Sequence, residues 1–187
     1  SERGVLRALG YKNGQSSLSV GGTIGVCCDL SLEYRDNYWQ RSMMMKKLLT
    51  IDLDWIQHPR QFMDILSICM DFFKKQTPTV FINTHHEIYE HIEEGATVIN
   101  IDHHHDFAYD PPSVKEARDN HPREGNWVLA AAIHKKLKGY IWVKNYDSII
   151  HQHDITEWIR KLEILQIRNR IDEVDLTDIY KLVICES

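Results

Sequence analysis

Three short runs of β-branched and apolar residues punctuate the chain, and each runs straight into carboxylates or imidazoles. They are Leu48-Leu-Thr-Ile-Asp52-Leu-Asp54, Val80-Phe-Ile-Asn-Thr-His85 and Val98-Ile-Asn-Ile-Asp102-His-His-His-Asp106. Apolar runs of this length bounded by polar residues fit strands buried on both faces. The pattern predicts a strand over 48–54 and a helix over 60–75, opened by Pro59, with Phe62, Ile65, Leu66, Cys69 and Phe73 on one face. Pro78 breaks that helix, a strand follows over 79–84, and a helix over 86–94 stops at Gly95. A strand over 97–102 leads into a long loop through Gly125, then a helix over 126–137 and a strand over 140–143. A polar helix over about 155–170 and a strand over 180–185 complete the expected order.

Alternating strand and helix predicts an α/β fold, a three-layer sandwich with a mostly parallel sheet and helices on both faces. Right-handed crossovers then put the carboxyl ends of the strands on one edge, where α/β sheets gather their ligands. The loop 106–125 carries Pro111, Pro112 and Pro122 and leaves the richest of the three motifs, so it is expected to face substrate.

Composition narrows the function. With 187 residues, 43% of them hydrophobic, one core-bearing domain is expected. A formal charge of -5 and dispersed lysines and arginines give no electrostatic footprint for nucleic acid. Such a balance is compatible with a cationic substrate. Cys27, Cys28, Cys69 and Cys185 have neither zinc-ribbon spacing nor a disulfide pattern, which points to a reducing cytoplasm. No apolar run suits a membrane span or a secretory signal. Residues 1–42 hold six of the nine glycines and differ in character from 43–187, where Met43-Met-Met offers alternative starts. They are expected to be an N-terminal extension, or an artefact of the start site, preceding a metallohydrolase domain over 43–187.

The chemistry lies in the strand ends. In Asp102-x-His104-x-Asp106 alternate residues would share one face of an extended chain, with His103 and His105 pointing away. Asp52-x-Asp54 repeats the spacing with two carboxylates, and His85 would join from a neighbouring strand. Hard oxygens with a few imidazoles suit divalent manganese, iron or zinc. Six ligands exceed one tetrahedral sphere and suit a two-metal site that activates water. Singly, Asp-x-Asp or His85-His86 is more often a helix cap or turn; three such motifs after three strands favour ligation.

Asp102-His-His104-His-Asp106 resembles the Asp-x-His-x-Asp signature of the arginase and ureohydrolase superfamily, which shares its fold with histone-deacetylase-like enzymes. Asp52-Leu-Asp54 looks like that superfamily's second aspartate pair, and Asn-Thr-His85 like its first histidine. Here the aspartate pair precedes both other motifs, whereas in arginases it follows them. That order, the short chain and the texts Ile-Asp-Leu-Asp-Trp, Thr-His-His-Glu and Glu-Gly-Asn-Trp look most like the small peptide arginases of ribosomal-peptide maturation.

The resemblance implies hydrolysis of a peptidyl arginine guanidinium to ornithine and urea with two Mn2+ ions, other divalent ions such as Fe2+, Co2+ or Zn2+ being alternatives. Asp52 and Asp102 would bridge the ions; His85 and Asp106 would complete one, His104 and Asp54 the other. The partner would be an arginine-containing precursor peptide. Homo-oligomerisation stays open, as does free arginine.

Guanidinium needs an anionic clamp. Glu186, after Leu182-Val-Ile-Cys185, resembles the arginase residue that binds it, the alternative being an ordinary terminal glutamate. His121 is the candidate proton shuttle by its place in the loop after Asp106, with a solvated loop histidine as the alternative. Asn126 is expected to cap its helix and to touch substrate. His151 and His153 are candidates for supporting groups. Two rival readings are a one-zinc deacetylase-like amidohydrolase and a non-enzymatic metal-binding module docking a partner through residues 1–42.

Overall fold

The computed structural model describes residues 46–107 and 110–186, all within one compact unit. The expectations for residues 1–42, including Cys27 and Cys28, lie outside the described residues.

Six strands form one all-parallel sheet: β1 (Lys47–Asp52), β2 (Thr79–Ile82), β3 (Ala96–Ile101), β4 (Leu137–Val143), β5 (Ile164–Arg168) and β6 (Ile179–Cys185), in the order β2-β6-β1-β3-β4-β5. β1 and β3 lie at the centre and are buried at every position, which explains their unbroken apolar texture. The helices are α1 (Pro59–Lys74), α2 (Ile88–His91), α3 (Pro111–Arg118), α4 (Trp127–Ile133) and α5 (Glu157–Arg160).

Alternate strand residues feed two cores. Leu48, Val98, Tyr140, Trp142 and Val183 pack on one face with Ile88 of α2, Trp127–Ala131 of α4 and Ile159 of α5. Leu49, Ile51, Ile99, Ile101, Ile141 and Leu182 pack on the other with Ile65, Cys69 and Phe72 of α1. The result is the expected three-layer α/β sandwich. At Gly139 in β4 a Cβ atom would lie 2.8 Å from Ile164 Cβ and from Thr97 Oγ1, so only glycine lets β3, β4 and β5 approach this closely.

Four local expectations are corrected. α1 turns Ile65, Cys69 and Phe72 inward and leaves Phe62 (51%), Leu66 (42%) and Phe73 (45%) exposed. Its sequence is apolar on two sides, so spacing alone could not choose the face that packs. The expected polar helix over 155–170 is instead the short α5 followed by β5, whose five residues are all half-buried at the sheet edge. The expected loop 106–125 contains α3, with Asp110 accepting from the Ser113 N–H at its start. The helix after Asn126 ends at Ile133 because β4 begins at Leu137. No described helix is long and apolar enough to cross a membrane. Cys69 and Cys185 are both buried.

Candidate metal centre

The strand order decides which side chains meet. β1 lies between β6 and β3, with Asp52 in register with Cys185 and Ile51 with Ile101. β2 lies beyond β6, with Ile82 in register with Cys185. The three motifs therefore leave one edge side by side, as parallel strands require.

Each strand then turns sharply. Asp52 closes β1 and accepts the Asp54 N–H at 3.2 Å, bending the chain into the 3-10 turn Leu53–Trp55. After β2, Glu87 Oε1 accepts from the Thr84 N–H and hydroxyl at 3.1 and 2.8 Å, which fixes the turn that carries His85 inward. After β3, Asp102 Oδ1 accepts the His104 N–H at 2.8 Å, and Asp106 adopts φ 54. The ligands of this motif thus converge through a turn, not through the expected extended alternation. A side chain with positive φ is uncommon, and here it brings Asp106 back under the site.

His85 Nδ1 lies 2.9 Å from Asp106 Oδ2, 3.1 Å from Asp102 Oδ2 and 3.4 Å from Asp52 Oδ2. His104 Nδ1 lies 3.3 Å from Asp54 Oδ2 and 3.8 Å from Asp102 Oδ1. Two groups of donor atoms, Asp52-His85-Asp102 and Asp54-Asp102-His104, each lie within 4.8 Å of one another, and Asp102 belongs to both. Asp52, His85, Asp102 and Asp106 are buried, whereas the His104 side chain is 66% exposed. These residues could hold a divalent cation.

The electrostatics favour one. Burial, followed by the Asp106 charge, holds Asp102 well above the usual carboxylate range. Burial and then Asp52 raise Asp54, one of whose oxygens is buried without a hydrogen bond. Burial alone would lower the His85 imidazolium, but Asp106 and Asp102 outweigh it and push His85 up to about 11. Burial opposes ionisation of Asp106 too, yet His85 holds it down at about 2. Asp52, Asp54, Asp102 and Asp106 thus share a space in which burial disfavours clustered negative charge. A divalent ion would offset that charge.

Supporting residues orient the ligands. The fully buried Asn100 donates to Asp102 Oδ2 at 3.0 Å and to the Tyr140 hydroxyl oxygen at 2.9 Å. Tyr140 in turn donates to the His105 carbonyl at 3.0 Å, and Trp142 Nε1 donates to the Asp102 carbonyl at 2.9 Å. His105 is itself no ligand: its Nδ1 accepts the Phe107 N–H at 3.3 Å and its Nε2 lies 3.2 Å from Asp154 Oδ2. Asp154 also accepts the His151 N–H at 2.7 Å and lies 3.4 Å from His153 Nε2. His151 and His153 thus belong to a brace under the ligand turn.

Asn100, Tyr140 and Asp154 were not foreseen as site residues. The signal for Asn100 was available, because an amide two residues before Asp102 in a buried strand shares its face and needs a partner there.

A cavity of about 660 Å³ opens over the cluster, lined among others by Asp54, His104, Glu124, Gly125, Asp147 and Ile149. The loop after α3 therefore reaches the site, as expected. Glu186 follows Cys185, its N–H donating to the Ile82 carbonyl at 3.3 Å. This sets it at the same sheet edge, between the strands that carry His85 and Asp52, with an exposed side chain outside the cavity lining.

Asn126 and His121 are not brought to the cavity. Asn126 is 1% exposed; its Oδ1 accepts the Arg123 N–H at 2.7 Å and its amide faces Ser113 and Glu116, so it shapes the loop without capping α4 through its side chain. His121 is exposed, and its N–H donates to the Glu116 carbonyl. No protein-family model, curated protein or solved structure matches the chain.

Proposed function

We propose that the protein is a metal-dependent hydrolase that cleaves the guanidinium group of arginine within a peptide, giving ornithine and urea. The observation that carries this reading is the convergence of Asp52, His85 and Asp102, and of Asp54, Asp102 and His104, in two donor groups that share Asp102, with Asp106 Oδ2 2.9 Å from His85 Nδ1. Two Mn2+ ions would suit that donor set of hard oxygens and imidazoles, and Asp102 is the residue common to both groups that would hold them. When bound, such ions supply Lewis acidity and lower the pKa of water toward neutrality.

The chain's own residues have separate tasks. Asp106 and Asp102 orient His85, while Trp127 and Asn100 hold those two carboxylates in place. Glu186, which follows β6 at the same sheet edge, would receive the planar guanidinium, whose fork of donors matches a carboxylate, once its exposed side chain turns toward the cavity. In the reaction a C–O bond forms between water and the guanidinium carbon, and the bond from that carbon to the side-chain nitrogen breaks. The leaving nitrogen departs as the protonated ornithine amine, and urea carries the oxygen. His121, exposed on the loop after α3, would reach the leaving amine only if that loop closes.

Mass spectrometry of arginine-containing peptides incubated with manganese-loaded protein tests this. Hydrolysis lowers the peptide mass by about 42 Da per arginine, an effect that Asp102→Asn should abolish. Free arginine alongside distinguishes peptidyl from free substrate. Release of acetate from acyl-lysine peptides, with arginine untouched, would favour the deacetylase-like alternative.

A further inference from the structure

Beside the metal-ligand cavity, on the α1 side of the same sheet edge, lies a second cavity of about 380 Å³. Its lining includes Trp55, Arg60, Tyr146, Asn169, Arg170 and Asp172. Two chain segments form the ridge between the cavities, and each gives successive residues to opposite sides. Asp54 lines the first cavity and Trp55 the second; Asp147 lines the first and Tyr146 the second. Successive Cα atoms are about 3.8 Å apart, so the cavities are immediate neighbours. An extended peptide repeats its side-chain direction every two residues, about 7 Å. One chain crossing the ridge can fill both.

The chemistry of the second cavity differs from that of the first. Trp55 is 4% exposed, and its Nε1–H is buried without a hydrogen-bond partner among the described residues. An unpaired buried donor costs free energy until it meets an acceptor. Arg60 is exposed and makes no ion pair within 4 Å among the described residues, whereas Arg170 is held by Asp172 in a two-nitrogen pair. Gln61 and Asn145, also in the lining, are occupied with each other at 2.6 Å, with the Gln57 and His58 N–H groups and with the Trp55 carbonyl. Asp64 is the remaining carboxylate in the lining, four residues along α1 from Arg60. Among the described residues, donors of this lining without a hydrogen-bond acceptor include Trp55 Nε1–H and the guanidinium of Arg60, which sits at the positive N-terminal end of the 16-residue α1 and reaches Asp172 through its charge alone. Tyr146, 77% exposed on the ridge, offers an aromatic face to a crossing chain.

Building on the guanidinium-hydrolase reading, we propose that this second cavity is a specificity subsite that takes a carboxylate of the peptide substrate, near in sequence to the arginine, through Arg60 and Trp55 Nε1–H. The carboxylate comes from an aspartate or glutamate side chain or from the peptide's C-terminus. The substrate then carries opposite charges a few residues apart, matched to a carboxylate-rich cavity and a donor-rich one.

The test is fluorescence anisotropy with the full, manganese-loaded chain and labelled, end-blocked glycine-serine peptides containing one arginine. A single Glu or Gln occupies each of the three positions on either side of it, and one further series ends in a free carboxylate at those distances. At one or two positions on one side, Glu should bind about tenfold more tightly than Gln. Arg60→Gln and Trp55→Phe, the second keeping the aromatic packing, should each shrink that ratio to about twofold or less. Preference confined to the free-carboxylate series would assign the subsite to the chain end. Equal binding of Glu and Gln peptides at every position, or a preference that survives Arg60→Gln, would overturn the subsite. Ornithine formation is read on the same peptides: a Glu preference without any ornithine would sink the hydrolase reading and leave the subsite standing.

Discussion

Trp127 Nε1 donates a hydrogen bond to Asp106 Oδ2 at 2.7 Å, and the same carboxylate oxygen lies 2.9 Å from His85 Nδ1. The first residue of α4 thus sets the orientation of a ligand at the far end of a turn, and its ring packs on His85 with centroids 5.5 Å apart. Trp127→Phe keeps most of the buried ring but removes the donor. We expect metal affinity to fall about 10- to 100-fold, the usual cost of losing an orienting partner. Calorimetric manganese titration, with circular dichroism to confirm folding, checks this.

Tyr140 is fully buried and joins two halves of the ligand turn, accepting from Asn100 and donating to the His105 carbonyl. Removing its hydroxyl leaves Asn100 with only its bond to Asp102 and takes away the donor to the His105 carbonyl. Tyr140→Phe should cost about 1–3 kcal/mol of stability, read as a lower midpoint in urea at an unchanged slope.

The His85 pKa gives the metal-free protein a defined pH dependence. Its imidazolium is pushed up to about 11 against an unfolded value near 6.5, so folding favours the protonated form. That contribution is complete below about pH 6.5 and is lost as pH rises toward 11. Stability of the metal-free protein should therefore decline across that window, and His85→Gln should flatten the decline. Denaturant midpoints at a series of pH values read both.

Asp154 ties His105, His151 and His153 beneath the loop that carries Asp147 and Ile149 to the cavity. Asp154→Ala removes none of the six ligands and should loosen that loop more than the ligand turn that it also braces through His105. The expected result is a rise in KM for a peptide substrate of several-fold, larger than the change in manganese affinity. Steady-state kinetics beside metal titration separates the two.

Much of the fold was legible because the central strands are buried on both faces and so read as unbroken apolar runs. β1 and β3 appeared within a residue or two of their places for that reason. β5 was missed because an edge strand is half-buried, and Ile164-Leu-Gln-Ile-Arg168 carries enough polarity to pass for a helix. The packed face of α1 was misjudged because Phe62, Leu66 and Phe73 are as apolar as Ile65, Cys69 and Phe72. At the site the six candidate ligands come together as their strand-end positions implied. Asn126 was read as a substrate contact, yet its amide is consumed by Arg123, Ser113 and Glu116, partners that local sequence does not reveal. The hydrogen bonds to Asp102 and Asp106 depend on β4 and α4 meeting the ligand turn in space, which only the assembled fold specifies.

Asp102 is the one residue common to both donor groups, so it carries the central claim. The most direct measurement is the manganese stoichiometry of the purified protein and of Asp102→Asn and Asp54→Asn, by metal analysis after equilibrium dialysis. The unaltered protein should bind about two ions per chain, as a two-metal hydrolytic site requires, with Asp54→Asn losing one and Asp102→Asn losing both. An unaltered protein that retains no divalent ion, or an Asp102→Asn variant that binds as the parent does, would contradict it.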